Sequence, residues 1–239
     1  MIMMKYILLM LALSAVLSSH CQTGRDYLDS GNKKYEQKNY KGAEVDLSKS
    51  INLDTGSAKA YYSRALARTY LGDLSGAVED YSRAISKDPA DSGAYCGRGS
   101  VRAMMRDYWG SITDYTGAIK VAPGMVRAYV GRGDAEAQVG KKAEALEDYN
   151  KAVDLDSISV DARFGRCRLN IILHDYQGAL RDITVALERS YDGNNGKLYY
   201  FRGLAKYFLR QGQSGCQDFA KASELGYELA DESIEQYCR

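Results

Sequence analysis

Apolar and small residues recur along this chain at a helical spacing that is interrupted at regular intervals. The clearest stretch places residues at i, i+4, i+7 and i+8, the spacing of one buried helix face: Ala77, Tyr81, Ala84 and Ile85. Gly72 and Asp73 precede this stretch and suit the left-handed end of one helix and the N-cap of the next. Asp88 and Pro89 end it, since the residue before proline disfavours helix. The pattern therefore predicts a pair of helices joined by a short turn.

The whole pattern repeats every 34 residues. The first predicted helix carries a related six-residue motif at 60–65, 94–99 and 128–133. The second carries an aspartate in the same register, at Asp46, Asp80, Asp114, Asp148 and Asp182, and Asp218 follows 36 residues later. The sequence thus predicts six consecutive helix pairs, because a supersecondary unit that repeats at this period cannot bury its apolar face alone and stacks on its neighbours.

These residues resemble the tetratricopeptide repeat (TPR) family. The second repeat carries the family's positions at Ala65, Ala77, Tyr81, Ala84 and Pro89, and the fourth departs from them by placing Ser157 where the proline is expected. The resemblance implies an all-α fold, a right-handed TPR superhelix (an α-solenoid) of six helix-turn-helix repeats over residues 24–226. Residues 228–239 are expected to form a C-terminal capping helix.

The N-terminus has the features of a targeting segment. Lys5 precedes an apolar run over 7–17, which is too short to span a bilayer, and Ser18 and Ser19 follow it. Residues 1–21 are therefore expected to be a signal peptide, and the protein is expected to be exported, periplasmic or secreted. Two alternatives stay open: lipidation at Cys21, which would make an outer-membrane lipoprotein, and an uncleaved anchor helix.

Composition and charge exclude several functional classes. The 239 residues carry 32 Lys and Arg against 31 Asp and Glu, so no basic excess is available to neutralise the phosphates of nucleic acid. Once residues 1–21 are removed His174 is the only histidine, and no metal-ligand spacing or glycine-rich phosphate loop is present. We therefore expect no catalytic residues, no cofactor and no metal, and the chain is not expected to be an enzyme.

The resemblance implies instead a concave groove lined by one face of each first helix. The expected groove residues are Leu28, Tyr35, Tyr62, Leu66, Tyr70, Phe164, Ile171, Ile172, Tyr200, Leu204, Tyr207 and Phe208. If the groove binds peptide, Phe164, Ile171, Tyr200 and Phe208 should be exposed. The expected function is a non-enzymatic scaffold of the cell envelope that binds a protein or peptide partner. A structural subunit of an envelope assembly and a glycan-capturing surface protein are the alternatives.

Two further expectations concern side-chain pairs. Arginines repeat on the first helices, at Arg64, Arg98, Arg132, Arg166 and Arg202, and should pair with the repeated aspartates, within or between adjacent repeats. Cys216 and Cys238 lie symmetrically about residue 227, beside Gly226, so two antiparallel helices joined there would bring them level. We expect a disulfide between them, whereas Cys96 and Cys167 lie too far apart to bond.

Overall fold

A computed structural model describes residues 23–190 and 195–238, and the regular structure within these ranges is entirely α-helical. The helices are α1 (Gly24–Glu36), α2 (Tyr40–Leu53), α3 (Ala58–Leu71), α4 (Leu74–Lys87), α5 (Ser92–Met104), α6 (Tyr108–Val121), α7 (Val126–Gln138), α8 (Lys142–Leu155), α9 (Val160–Ile172), α10 (Tyr176–Arg189), α11 (Gly196–Phe208), α12 (Gly212–Glu224) and α13 (Leu229–Tyr237). The predicted all-α class and the pairing of successive helices are confirmed. The predicted signal peptide lies outside the described residues, and every helix in the described ranges is too short or too polar to cross a bilayer.

The chain divides into two compact units between Pro89 and Ala90. The N-terminal unit contains α1 to α4, and the C-terminal unit contains α5 to α13. In the C-terminal unit each odd-numbered helix contacts the next odd-numbered one, from α5 through α13, whereas α6, α8, α10 and α12 contact only odd-numbered helices. This unit therefore curves toward α5, α7, α9, α11 and α13, and we call the surface of these helices the first-helix face.

The turns between paired helices are set by caps that the sequence predicts. Asn39, Asp73, Asp107 and Asp175 each accept a hydrogen bond from the backbone N–H of a glycine three residues later. Each bond satisfies one of the backbone donors left open at a helix start. Lys141 takes this place before α8 and makes no side-chain cap, as its chemistry predicts.

The repeated arginines and aspartates are paired as predicted in five repeats, within the same repeat each time, whereas Asp46 of the first repeat pairs with Lys34. A guanidinium on the first helix makes two hydrogen bonds of 2.6–3.0 Å to a carboxylate sixteen residues later on the second helix. The pairs are Arg64–Asp80, Arg98–Asp114, Arg132–Asp148, Arg166–Asp182 and Arg202–Asp218. All five aspartates are buried. Two parallel N–H···O bonds to a charged acceptor are among the stronger side-chain contacts in proteins, so each pair fixes the geometry of its two helices.

The same arginines also reach the preceding repeat. Arg132 Nη1 donates to Thr116 Oγ1 at 3.1 Å, and Arg166 Nη1 donates to Asn150 Oδ1 at 2.8 Å. In the N-terminal unit, Arg64 Nη1 donates to Ser48 Oγ at 3.0 Å. One guanidinium therefore joins its own helix pair to the second helix of the pair before it.

We call the five Arg–Asp pairs the ladder. Glu136 departs from its charge pattern. Arg68 and Arg102 occupy its position in earlier repeats and bind Asp80 and Asp114 as second cations, at 2.9 Å each. Glu136 is only 7% exposed, and its Oε2 has no hydrogen-bond partner among the described residues. Burial, followed by the repulsion of Asp148, raises its pKa to about 7. The other charges acting on it are Arg132, Glu144 and Lys141.

The last helix, α13, is joined to α12 by Cys216 and Cys238, which are bonded and have Cα atoms 5.7 Å apart. This separation lies within the normal range, so the geometry permits the predicted disulfide. Tyr237 of α13 lies 4.4 Å from Tyr207 between ring centroids. The end of α13 therefore covers part of α11. Cys96 and Cys167 are buried and unpaired, as their separation predicts.

The ladder predicts a large stability cost when one carboxylate is neutralised. In Asp114→Asn the guanidiniums of Arg98 and Arg102 lose their anionic acceptor in a buried site, so the free energy of unfolding should fall by roughly 3–5 kcal/mol. Asp154→Asn, on the exposed surface of α8, is the matched control and should change it by less than about 0.5 kcal/mol. Equal unfolding midpoints in urea for Asp114→Asn and wild type would mean that the ladder is only a solvated surface.

Glu136 predicts stability that declines with rising pH. Because its pKa in the folded protein lies above the unfolded value of about 4.3, its stabilising effect is complete below that value and is lost as pH rises through about 7. Glu136→Gln should therefore be more stable than wild type at pH 8, by roughly 3–4 kcal/mol, and close to wild type at pH 4. Glu147→Gln, exposed on α8, serves as control. A Glu136→Gln curve that parallels wild type from pH 4 to pH 8 would refute this prediction.

If the disulfide between Cys216 and Cys238 forms, reductant should weaken the attachment of α13 to α12. Breaking a bond with a sequence separation of 22 residues should lower stability by roughly 3 kcal/mol in the chain-entropy model, and amide exchange should quicken first in α13. The double variant Cys216→Ala/Cys238→Ala should behave like the reduced wild type and should not respond to reductant. Peptide mapping without reductant, on protein exported to an oxidising compartment, tests the bond directly, and two free thiols there would disprove it.

Candidate functional site

The first-helix face of the C-terminal unit contains a cavity of about 470 Å³ between α7, α9 and α11. Its lining comes from three successive repeats: Val126, Arg127, Val130, Gly131, Asp134, Ser159, Asp161, Phe164, Gly165, Arg168 and Lys197. It is open to solvent and combines apolar side chains with both signs of charge. We call it the α7–α11 cavity.

Two glycines create the floor of this cavity by letting tyrosines of the second helices approach closely. A Cβ atom at Gly165 would lie 2.4 Å from Cε1 of Tyr149, and one at Gly131 would lie 2.3 Å from Cζ of Tyr115. Any side chain at these positions would displace a buried ring. Each tyrosine therefore packs under the first helix of the next repeat, and the backbone of that helix is left open toward the cavity.

The hydroxyl of Tyr149 holds the acid at the centre of the cavity. It donates to Asp134 Oδ1 at 2.7 Å, and burial together with that carboxylate raises the tyrosine's pKa well above its usual range. Arg168 Nη1 lies 3.9 Å from the same oxygen, beyond hydrogen-bonding distance. The acid is therefore oriented by a neutral donor and is only weakly paired with the nearby cation.

Two cations lie over one aromatic ring at the cavity edge. Lys197 Nζ is 4.1 Å from the ring centroid of Phe164, and Cζ of Arg168 is 5.7 Å from it. Both distances fall within the range of cation–π attraction. Desolvation, with repulsion from Arg168, lowers the pKa of Lys197.

The exposure of four expected groove residues shows how accessible the first-helix face is. Phe208 is 41% exposed, as predicted, whereas Phe164, Ile171 and Tyr200 are half-buried and less exposed than predicted. Phe164 packs at right angles to Phe201, with ring centroids 5.1 Å apart. Neighbouring repeats therefore cover part of these side chains and leave the rest accessible.

The aromatic residues of α11 form a cluster with the capping helix. Tyr207 meets Tyr237, and Phe208 stacks on Tyr176 with centroids 4.8 Å apart. Leu204 is half-buried on the same helix, and Ile172, at the end of α9, is exposed. The C-terminal end of the first-helix face is thus aromatic and already partly occupied by α13.

The N-terminal unit holds the other five expected groove residues, on α1 and α3. Tyr35 and Tyr70 lie 5.7 Å apart beside Tyr40, which stacks on Tyr70 at 4.5 Å. Burial and the bond to Tyr70 raise the pKa of Tyr35 to about 12. Tyr62 packs against Tyr81, and Leu28 and Leu66 are half-buried. Tyr35, Tyr40 and Tyr70 therefore form a local aromatic cluster in this unit.

Of the residues that line the α7–α11 cavity, only Phe164 is among the groove residues that the sequence predicts. Three of the charged residues that it misses, Arg127, Asp161 and Lys197, occupy one position of the repeat register, near the start of each first helix, 34 and then 36 residues apart. The repeat period is the signal that identifies this position.

Residues 23–190 and 195–238 contain no cluster of three or more His, Cys, Asp or Glu that could hold a metal ion. His174 lies in the turn after α9, where its Nδ1 is 2.7 Å from the hydroxyl of Tyr176.

Comparison with known proteins agrees with this geometry. Residues 58–91 and 126–158 match the tetratricopeptide repeat family model. No curated protein matches the chain in sequence. Among solved structures, a Pseudomonas aeruginosa protein, PilF, superposes with a TM-score of 0.79 at 17% identity, over 89% of this chain and 96% of that one.

Two further structures share the fold. A tetratricopeptide repeat protein from Parabacteroides merdae has a TM-score of 0.68 at 21% identity, over 92% of this chain and 86% of that one. YrrB, described as a TPR protein with an unusual peptide-binding site, has a TM-score of 0.62 at 19% identity, over 79% of this chain and 97% of that one. Together, the matched repeats and these likenesses support a tetratricopeptide repeat protein with an all-α repeat fold.

Proposed function

We propose that this protein is a non-enzymatic scaffold that binds a peptide segment of a protein partner on the first-helix face of its C-terminal unit. The observation that carries the proposal is the α7–α11 cavity. It is large enough to take side chains, and it places Phe164 and Val130 beside unpaired or weakly paired polar groups. Pockets that combine apolar walls with a few placed polar groups are typical of binding sites. The tetratricopeptide fold generally mediates interactions between proteins, which is consistent with this use.

The proposal also covers where the protein works. The apolar run over 7–17 with Lys5 before it favours export, and a structural disulfide at Cys216 and Cys238 is typical of proteins in an oxidising compartment. We therefore propose that the partner belongs to the cell envelope, and that the chain is periplasmic or secreted, with lipidation at Cys21 as the alternative.

A structural subunit of an envelope assembly is the second candidate, and a specific surface favours it. Where first helices end and second helices begin, the C-terminal unit exposes Met104, Met105 and Trp109, and Trp109 is 60% exposed. Large apolar side chains exposed together mark interaction surfaces. This turn edge lies on different helices from the α7–α11 cavity, so the two functions can be separated by substitution.

A bulky side chain that fills the α7–α11 cavity should strongly weaken peptide binding. Val130→Trp places an indole in the α7–α11 cavity without changing its charge, so the full-length variant should bind peptides selected from a random twelve-residue pool at least tenfold more weakly than wild type. Fluorescence anisotropy measures the affinity, and circular dichroism must show an unchanged helical content and melting curve.

Trp109→Ala, on the turn edge, is the matched control and should bind like wild type. If no peptide is selected, or if Trp109→Ala loses binding while Val130→Trp keeps it, the groove proposal is wrong and the assembly subunit is favoured. Binding to a glycan array in the absence of protein would favour the glycan-capturing alternative.

A further inference from the structure

The α7–α11 cavity receives one cation from each of the three repeats that line it. Arg127 comes from α7, Arg168 from α9 and Lys197 from α11. Against these three, two acids line the same cavity, Asp134 and Asp161. The lining therefore carries one more positive than negative charge, which suits a single anionic group and disfavours a polyanion.

The cations of the cavity are poorly neutralised by the protein. Arg168 approaches Asp134 only to 3.9 Å, and Asp134 is already bonded to the hydroxyl of Tyr149. Lys197 has no carboxylate within 4.0 Å among residues 23–190 and 195–238. Every arginine of the ladder, by contrast, makes two short bonds to its aspartate. Arg168 and Lys197 thus retain donors that a ligand can use.

The two cations also act on each other. Both lie over the ring of Phe164. Desolvation, followed by repulsion from Arg168, lowers the pKa of Lys197, so the two positive charges oppose each other at this site. An anion placed near both groups would relieve the repulsion, and the accessible part of Phe164 would remain for an apolar contact beside it.

The position of the cavity indicates which kind of carboxylate fits. α5 precedes it along the first-helix face, and α13 follows it. A peptide chain can therefore continue past the cavity over α5 on one side and over the part of α11 that α13 leaves uncovered on the other, which favours a carboxylate in the middle of a segment over one at its end. A phosphate or a polyacidic run would face repulsion from Asp134 and Asp161.

We propose that the first-helix face selects a peptide with one internal aspartate or glutamate next to an apolar side chain. Arg168 and Lys197 hold the carboxylate, and Phe164 and Val130 contact the apolar neighbour. This inference rests on the proposed peptide-binding function and specifies the chemistry of its partner.

Selection from a random twelve-residue pool on the immobilised full chain tests the inference. Selected sequences should carry one acid flanked by apolar residues, and amidation of their C-terminus should not change affinity. Changing that acid to its amide should weaken binding to wild type at least tenfold. In Lys197→Gln and Arg168→Gln the acidic peptide should bind about as weakly as its amide counterpart, while Lys151→Gln, on the exposed surface of α8, should bind like wild type.

Failure of this inference can be distinguished from failure of the proposed peptide-binding function. Peptides selected without an acid, or an acid preference that persists in the Lys197→Gln/Arg168→Gln double variant, would overturn this inference and leave peptide binding intact. Loss of affinity on C-terminal amidation would assign the site to a terminal carboxylate and also overturn it. Selection of no peptide at all would overturn the proposed function and this inference together.

Discussion

The buried aspartate of each second helix is the constraint on which the rest of the structure depends. A carboxylate removed from water must be paired and hydrogen-bonded, or it destabilises the fold by several kcal/mol. Five repeats solve this with an arginine sixteen residues earlier, on the partner helix, and three of these arginines also bond to the second helix of the preceding repeat. One side chain thereby sets the distance within a helix pair and the stacking between pairs. Regular stacking follows within each unit.

The candidate site is a consequence of that stacking. Because the first helices approach one another in the C-terminal unit, their outward side chains converge on one face, and glycines at 131 and 165 leave room for a cavity above the buried tyrosines. The arginines of the ladder are bonded to buried aspartates within the fold. Arg168 and Lys197 make no short ion pair among the residues that the structure describes, so their donors stay available. The same residue types therefore have a structural role at one register position and the proposed binding role at another.

The sequence predicts the fold well because its signals are local and repeated. The period, the N-caps and the ladder pairs at a separation of sixteen residues all follow from helix geometry, and the symmetry of Cys216 and Cys238 about a turn glycine located their contact. The site was harder to predict. Half-burial of Phe164 and Tyr200 depends on how far neighbouring helices overlap, which no period reveals. Glu136 is similar, because its pKa is set by burial and by charges on both α7 and α8, which the repeat period alone does not give.

A crystal structure of the full chain with a peptide selected from a random pool tests the central claim most directly. The account predicts that the peptide lies along the first-helix face, with an acidic side chain at Arg168 and Lys197 and an apolar side chain against Phe164. A peptide bound to the second helices, or at the turn edge around Trp109, would contradict it. The binding surface would then be those helices or that edge, and not the first-helix face.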